Sequence, residues 1–156
     1  MPETAERREL AFQNLSEAVA EVDRLAASQV RTTGRYTFAQ ILNHLAVSQD
    51  VSAGRLQPPP APFFMKLMRP LMKRMVINSK PLKPGVSLPP KAEAFFWPDE
   101  DFDLPTAMAY FKESAENYMT NGPLQKHPFF GKLTKAECDE LNCRHAALHL
   151  SFVHPE

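Results

Sequence analysis

The chain has 156 residues, with 18 Lys and Arg against 18 Asp and Glu, so its formal net charge is zero. This length is typical of one domain, and we predict a single domain over residues 1–156. The balanced charge argues against bulk electrostatic binding to nucleic acid, which requires a large basic surface, and an apolar fraction of 44% excludes a disordered chain.

The first predicted helix covers about residues 4–28, and a loop is expected at residues 31–36. Apolar residues recur through this helix at helical spacing, with charged residues between them: Leu10, Leu15, Val19, Val22 and Leu25. The second predicted helix begins after Thr37, because residues 37–40 fit the capping-box pattern. It ends near Leu56, because the prolines at 58–60 cannot continue a helix.

Residues 57–98 form a long Pro-rich crossover, which holds ten of the fifteen prolines. We predict an irregular connection here, and a connection of this length is typically functional or covers another part of the molecule. It includes one short basic segment, residues 63–77, which we expect to be broken at Pro70.

The third predicted helix covers about residues 104–121, with Asp103 as its cap and Gly122 after its end. The fourth begins after Thr134, where residues 134–137 fit a second capping box. Glycine is scarce and no segment alternates cleanly between apolar and polar residues, which favours an all-α fold. Four helices joined by short, long and short connections predict a four-helix bundle with the long crossover between helices two and three.

Three histidines form the candidate site. His145 and His149 are four residues apart, so they lie on one face of the fourth helix, which also carries Leu148. Burying two imidazoles is unfavourable unless their nitrogens find partners, which are either a metal ion or ordinary hydroxyl and carbonyl groups. His44 on the second helix completes a set of three nitrogens. Three protein ligands leave one coordination position open for water or substrate, as catalytic sites do.

Four other side chains are candidates for a place near this site. Cys138 shares a face with His145 but lies two turns away, so we expect a buried core residue. His127 is expected in a turn or at the rim of the site. Tyr118 and Asn142 are candidate polar groups of a pocket, but a place in the core or at the rim is favoured for both. No general base is evident.

The remaining histidine and cysteine are expected elsewhere. His154, near the C-terminus, is expected to meet solvent or the negative end of the last helix dipole. Cys143 is expected on a side face of the fourth helix, and its spacing from Cys138 is too wide for a disulfide. Two free thiols fit a reducing compartment. No apolar leader or membrane span is evident, and we predict a cytoplasmic protein.

The surroundings of the three histidines resemble the DinB/YfiT-like superfamily of four-helix bundles. The resemblance rests on the sequence around His44, on the long crossover, and on residues 144–149. Residues 127–134 resemble a branch of that superfamily with no assigned function. The resemblance implies a divalent metal, zinc or nickel, bound by residues matching His44, His145 and His149. It also implies relatives that transfer low-molecular-weight thiols to electrophiles or isomerise substrates with a thiol, and it implies that dimers are common.

The chain departs from this branch beside the last ligand. Members often carry a second histidine just before it and a glutamine two residues after it, whereas this chain has Leu148 and the nearby Ser151. Residues that orient metal ligands affect metal affinity and activity. The departure therefore bears on whether the site catalyses a reaction.

Three functions remain open. The first is a metal-dependent enzyme, a thiol transferase or a hydrolase, with a small-molecule substrate and a low-molecular-weight thiol as the candidate. The second is a metal-binding module without catalysis. The third uses the basic, Met-rich segment 63–77 on a partner protein or a membrane surface, against the favoured alternative of a lid packed on the helices. We expect a homodimer as the candidate oligomer, and neither nucleic acid nor a membrane as partner.

Overall fold

The computed structural model describes residues 5–78 and 82–156. These ranges contain six helices and four short strands, so the helical class is confirmed in its coarse form. The helices are α1 (Leu15–Ala26), α2 (Phe38–Ala53), α3 (Phe63–Asn78), α4 (Pro90–Phe96), α5 (Leu104–Asn121) and α6 (Lys135–Leu150). The strands are β1 (Val30–Thr32), β2 (Lys126–His127), β3 (Gly131–Lys132) and β4 (Val153–Pro155).

Helix α1 is shorter than predicted. It begins at Leu15, where the side chain of Asn14 accepts a hydrogen bond from the backbone N–H of Glu17 at 3.0 Å. Residues 5–14 are irregular, and residue 4 lies outside the described ranges. Arg8 donates from its Nε to the carbonyl of Val153 at 2.6 Å, which ties this segment to the end of the chain. The helix predicted over residues 4–28 therefore begins about eleven residues too early.

Helix α2 begins as its capping box predicts. The backbone N–H of Gln40 donates to the Thr37 hydroxyl at 3.2 Å, and the N–H of Thr37 donates to the Gln40 side chain at 3.0 Å. The helix ends at Gly54, which takes a left-handed φ of 82°. Thirteen of its 16 residues are buried, so α2 runs through the centre of the molecule and carries His44 inward.

The crossover contains two helices that the sequence interpretation did not predict. Helix α3 is continuous through Pro70, and none of its residues is buried. The interpretation of segment 63–77 as a packed lid holds for Ile77, which packs against a buried cluster. It is wrong for six large apolar residues that face solvent: Phe63, Phe64, Leu67, Met68, Leu71 and Met75. Helix α4 begins with Pro90 at its first position, where a missing N–H costs no intrahelical bond.

Helices α5 and α6 begin where predicted. Asp103 accepts from the N–H of Thr106 at 3.1 Å, and the Thr134 hydroxyl accepts from the N–H of Glu137 at 3.1 Å. Helix α2 packs against α5 and α6, and α1 packs against the same two helices. Their main core contains Leu42, Leu45, Phe111 and Leu150 among its buried residues. The finer prediction, a four-helix bundle with one crossover, stays a prediction.

Two small antiparallel ladders complete the described structure. Strand β1 pairs with β4, with Arg31 opposite His154, and β2 pairs with β3, with Lys126 opposite Lys132. The loop predicted at residues 31–36 is therefore wrong for β1. Strands of two or three residues are too short to show an alternating sequence pattern. Within the described ranges, no helix is both long and apolar enough to cross a membrane.

Candidate metal centre

The three predicted histidines meet at one point between α2 and α6. The Nε2 atom of His145 lies 3.0 Å from Nε2 of His44 and 3.1 Å from Nε2 of His149. One ring nitrogen from each residue lies within 4.8 Å of the other two. Nitrogens bound to one tetrahedral zinc ion at 2.0–2.1 Å are about 3.4 Å apart. The two distances from His145 lie within a few tenths of an ångström of this value, and the three nitrogens are close enough together to bind one ion.

The tautomer of His44 follows from its hydrogen bond to α4. Its Nδ1 lies 2.9 Å from the carbonyl oxygen of Phe96. A carbonyl only accepts, so Nδ1 carries the proton and donates it, and the Nε2 of the neutral ring is left with a lone pair. That lone pair faces His145. A histidine whose second nitrogen donates to a carbonyl is the usual arrangement in metal sites.

Hydrogen bonding among the three rings cannot satisfy all three nitrogens. The Nε2 of a neutral imidazole is either a donor or an acceptor. If Nε2 of His145 donates to His44, it cannot also accept from His149, and its single N–H cannot align with both neighbours. If Nε2 of His145 instead accepts from His149, its lone pair faces the lone pair on Nε2 of His44, which is repulsive. A cation between the three nitrogens removes this conflict, so the residues present fit a metal ion.

All three rings are held neutral by their surroundings. Burial lowers the pKa of His145 to about 4 from its ordinary 6.5. Burial, and then the neighbouring His145, lowers the pKa of His44 and His149 well below that value. Neutral imidazole is the form that binds metals. His44 is only 5% exposed, whereas His145 and His149 are of intermediate exposure.

An aromatic stack covers one face of the His44 ring. The ring of His44 stacks on Trp97 with centroids 3.7 Å apart and planes 8° apart. Tyr36 stacks on the other face of Trp97 at 3.8 Å and 9°. Trp97 also meets the ring of His149 edge-on at 5.2 Å. The stacked contact to His44 and the edge-on contact to His149 hold the two imidazoles in orientation.

The sequence interpretation missed both Phe96 and Trp97, because it treated residues 57–98 as irregular. A signal was present. Pro89 and Pro90 precede a run of helix-forming residues, and proline is favoured at the first position of a helix. A short helix starting there ends at residues 95–97, where three aromatic residues follow one another.

His127 is buried and is not among the three converging histidines. The expected position at a turn is confirmed, and the expected position at the rim of the site is wrong. Its Nδ1 accepts from the backbone N–H groups of Phe129 at 3.1 Å and Phe130 at 3.4 Å. Its Nε2 lies 3.3 Å from the Ser52 hydroxyl and therefore carries the proton that donates to it. Burial, and then the charge of Arg69, lowers its pKa to about 4. This imidazole closes the turn between β2 and β3.

His154 is also buried, so the expectation of solvent or a helix end is wrong. It lies in β4, which is held inward by pairing with β1. Its Nε2 lies 3.2 Å from the Glu6 carbonyl and 3.3 Å from the Thr33 hydroxyl. The irregular N-terminal segment covers it, which no local pattern indicated.

Tyr118 and Asn142 have core roles, as the favoured interpretation held. The Tyr118 hydroxyl donates to Asp139 at 2.7 Å, and the Asn142 amide donates to the Cys138 carbonyl at 2.9 Å. Both side chains are buried and bonded within the α5–α6 region. Neither makes a hydrogen bond to a histidine of the site.

Both cysteines are free and buried. The core position predicted for Cys138 is confirmed, and the side-face position of Cys143 is wrong, because Cys143 belongs to the same buried cluster as Leu15 and Ala115. Burial raises the pKa of both thiols, that of Cys143 to about 11. Neither is a reactive thiolate near neutral pH.

Comparison with known proteins gives a family but no activity. No curated protein matches the chain, and no solved structure matches it. One family matches over residues 4–156, which is nearly the whole sequence. The relationship to the DinB/YfiT superfamily stays a prediction, whereas the expected lack of an assigned function agrees with this match. The chain therefore belongs to the family described as protein of unknown function DUF1569.

Proposed function

We propose that this protein binds one divalent transition metal through the Nε2 atoms of His44, His145 and His149 and uses it in a reaction on a small molecule. The observation that carries the proposal is the convergence of three Nε2 atoms. The Nε2 of His44 carries a lone pair, because its Nδ1 donates to the Phe96 carbonyl. Imidazole ligands suit zinc and nickel, which are the proposed metals.

The proposed reaction is the transfer of a low-molecular-weight thiol to an electrophile, with hydrolysis as the related alternative. A divalent ion held by three neutral imidazoles keeps its double charge, which favours thiolate or hydroxide in an open position and lowers the pKa of the thiol or water. The protein's own residues orient the imidazoles: the Phe96 carbonyl and the Trp97 ring hold His44 in place. Substrate enters on the α6 side, where His145 and His149 are partly exposed.

A metal-binding module without catalysis is the second candidate. One observation favours it: the hydroxyl of Ser151 donates to the carbonyl of Leu148 at 2.5 Å and is therefore used within the end of α6. Because its proton is used there, the Ser151 hydroxyl does not donate to an imidazole, so the position where relatives carry a glutamine does not orient a ligand here. Metal-dependent turnover of a substrate distinguishes the enzyme from the metal-binding module.

The first experiment is metal analysis of the purified protein after reconstitution with zinc or nickel. We expect about one ion per chain in wild type and less than about a tenth of that in His145→Ala, because two imidazoles bind far more weakly than three. Trp97 is the single tryptophan and stacks on His44, so metal binding also changes tryptophan fluorescence. The matched control is His127→Asn, a buried histidine outside the site, which keeps the metal. Equal metal in wild type and His145→Ala contradicts the proposal.

The second experiment measures thiol consumption with a panel of small electrophiles. Metal-dependent turnover that is lost in His145→Ala supports the enzyme. Stoichiometric metal with no turnover across the panel assigns the chain to the metal-binding module instead.

A further inference from the structure

Helix α3 presents an apolar face to solvent. Its residues at 63, 64, 67, 68, 71 and 75 fall on one side of the helix by their spacing. All six are exposed: Phe63 75%, Phe64 64%, Leu67 67%, Met68 46%, Leu71 50% and Met75 63%. Contiguous apolar patches on a protein surface mark interaction sites. We call these six residues the α3 face.

The opposite side of α3 is fastened to the protein by polar contacts. The guanidinium of Arg69 donates to the carbonyl of Pro128 at 3.2 Å, and the ammonium of Lys73 donates to the carbonyl of Lys132 at 2.7 Å. Both acceptors belong to the segment around β2 and β3. The helix is thus held with two of its cations inward, Ile77 packs at its C-terminal end, and the six residues of the α3 face point outward without a partner in the core.

The charge of α3 identifies the partner. The helix contains four cations, Lys66, Arg69, Lys73 and Arg74, and no acidic residue. Lys66 and Arg74 are exposed, beside the α3 face. An apolar face flanked by cations is the pattern of helices that lie in the plane of a membrane interface, where anionic lipids attract the basic side chains. Two copies of such a helix facing each other bring like charges together.

We propose that α3 binds the surface of a bilayer containing anionic lipids, with the α3 face inserted among the upper acyl chains and Lys66 and Arg74 at the lipid phosphates. The helix lies on the membrane and does not cross it. The sequence had favoured a packed segment and no membrane partner, and the exposure of the α3 face reverses that preference. The proposal does not depend on the metal centre.

The test is co-sedimentation of the full chain with vesicles of phosphatidylcholine alone and of phosphatidylcholine mixed with phosphatidylserine. We expect binding to the mixed vesicles that weakens as salt is added. Leu67→Asn together with Leu71→Asn lowers the partition coefficient more than about tenfold, because two large apolar side chains no longer insert. Lys66→Ser together with Arg74→Ser lowers it by about thirtyfold at low salt, from about 1 kcal/mol per cation.

The matched control is Met119→Asn, which removes an exposed apolar side chain from α5 and leaves binding unchanged. Far-UV circular dichroism serves as a fold control for these variants, because the described structure is mostly helical. No binding of wild type to the mixed vesicles overturns the proposal, as does binding that the Leu67→Asn, Leu71→Asn variant retains. A concentration-dependent dimer that this variant abolishes, without vesicle binding, assigns the α3 face to a second copy of the chain.

Discussion

His44 differs from the other histidines of the site in having both ring nitrogens and one ring face fixed. Its Nδ1 donates to Phe96, its Nε2 faces His145, and its ring lies flat on Trp97. A ligand that is already oriented loses little entropy when it binds an ion.

His127 shows that a buried histidine on its own is no evidence for a ligand. Its two nitrogens are both occupied within the protein, by two backbone N–H groups and by the Ser52 hydroxyl. No lone pair is left for an ion. At the residue scale, the decisive observation is therefore where each nitrogen points, and the residue type does not provide it.

The lowered pKa of His127 makes stability fall on acidification. Its pKa is about 4 in the folded protein against an ordinary 6.5, so the unfolded chain binds more protons between these values. The stabilisation that neutral His127 contributes to the folded state is fully present above about pH 6.5, and it decreases as the pH falls towards 4. The expected slope is at most about 1.4 kcal/mol per pH unit.

This slope is measured by urea unfolding of wild type and of His127→Asn in the same buffers between pH 7 and 5. Asparagine keeps an acceptor near the N–H groups of Phe129 and Phe130 but does not titrate. We expect the stability difference between the two proteins to shrink on acidification, since the other histidines contribute equally to both. A difference that stays constant with pH contradicts the assignment.

At the scale of elements, helix starts were more predictable than the segments between helices. Thr37, Asp103 and Thr134 each cap a helix where the sequence indicates it, because capping depends on residues three positions apart. Pro70 was expected to break α3. The helix continues because none of its residues is buried, so the carbonyl that loses its partner at a proline can be hydrated.

Gly54 ends α2 in a way that admits no side chain. Its φ of 82° is left-handed, and a Cβ built on it lies 2.7 Å from Cδ2 of Leu124. We expect Gly54→Ala to lower the free energy of unfolding by about 1–2 kcal/mol through the backbone alone, with the contact to Leu124 adding to it.

Denaturant unfolding of Gly54→Ala measures this loss, and Gly85→Ala is the matched control. Gly85 also has a left-handed φ, 98°, but a Cβ there meets no atom within 4 Å. The difference between the two variants isolates the contact with Leu124. Equal losses show that the backbone conformation accounts for the whole effect.

For the whole molecule, the candidate metal centre joins distant parts of the chain. It takes one ligand from α2, two from α6 and an orienting carbonyl from α4. Unfolding separates all of them, so an ion that binds the folded state stabilises the whole protein. At a free metal concentration about a thousand times Kd, the expected gain is about 4 kcal/mol.

Thermal unfolding with and without a chelator measures this linkage. We expect the chelator to lower the Tm of reconstituted wild type and to leave that of His145→Ala unchanged. The same Tm for wild type with and without metal contradicts binding to the folded state.

The sequence by itself determined the helical class, the caps of three helices and the three histidines that come together. These features depend on spacings of three or four residues and on the burial of whole helix faces, which local patterns carry. The tertiary structure alone decided that Phe96 orients His44, that Trp97 covers it, that His127 and His154 are buried, and that α3 turns its apolar side outward. Such pairings join residues far apart in sequence, 52 positions for His44 and Phe96, and only the packing of the assembled helices brings them within hydrogen-bond distance.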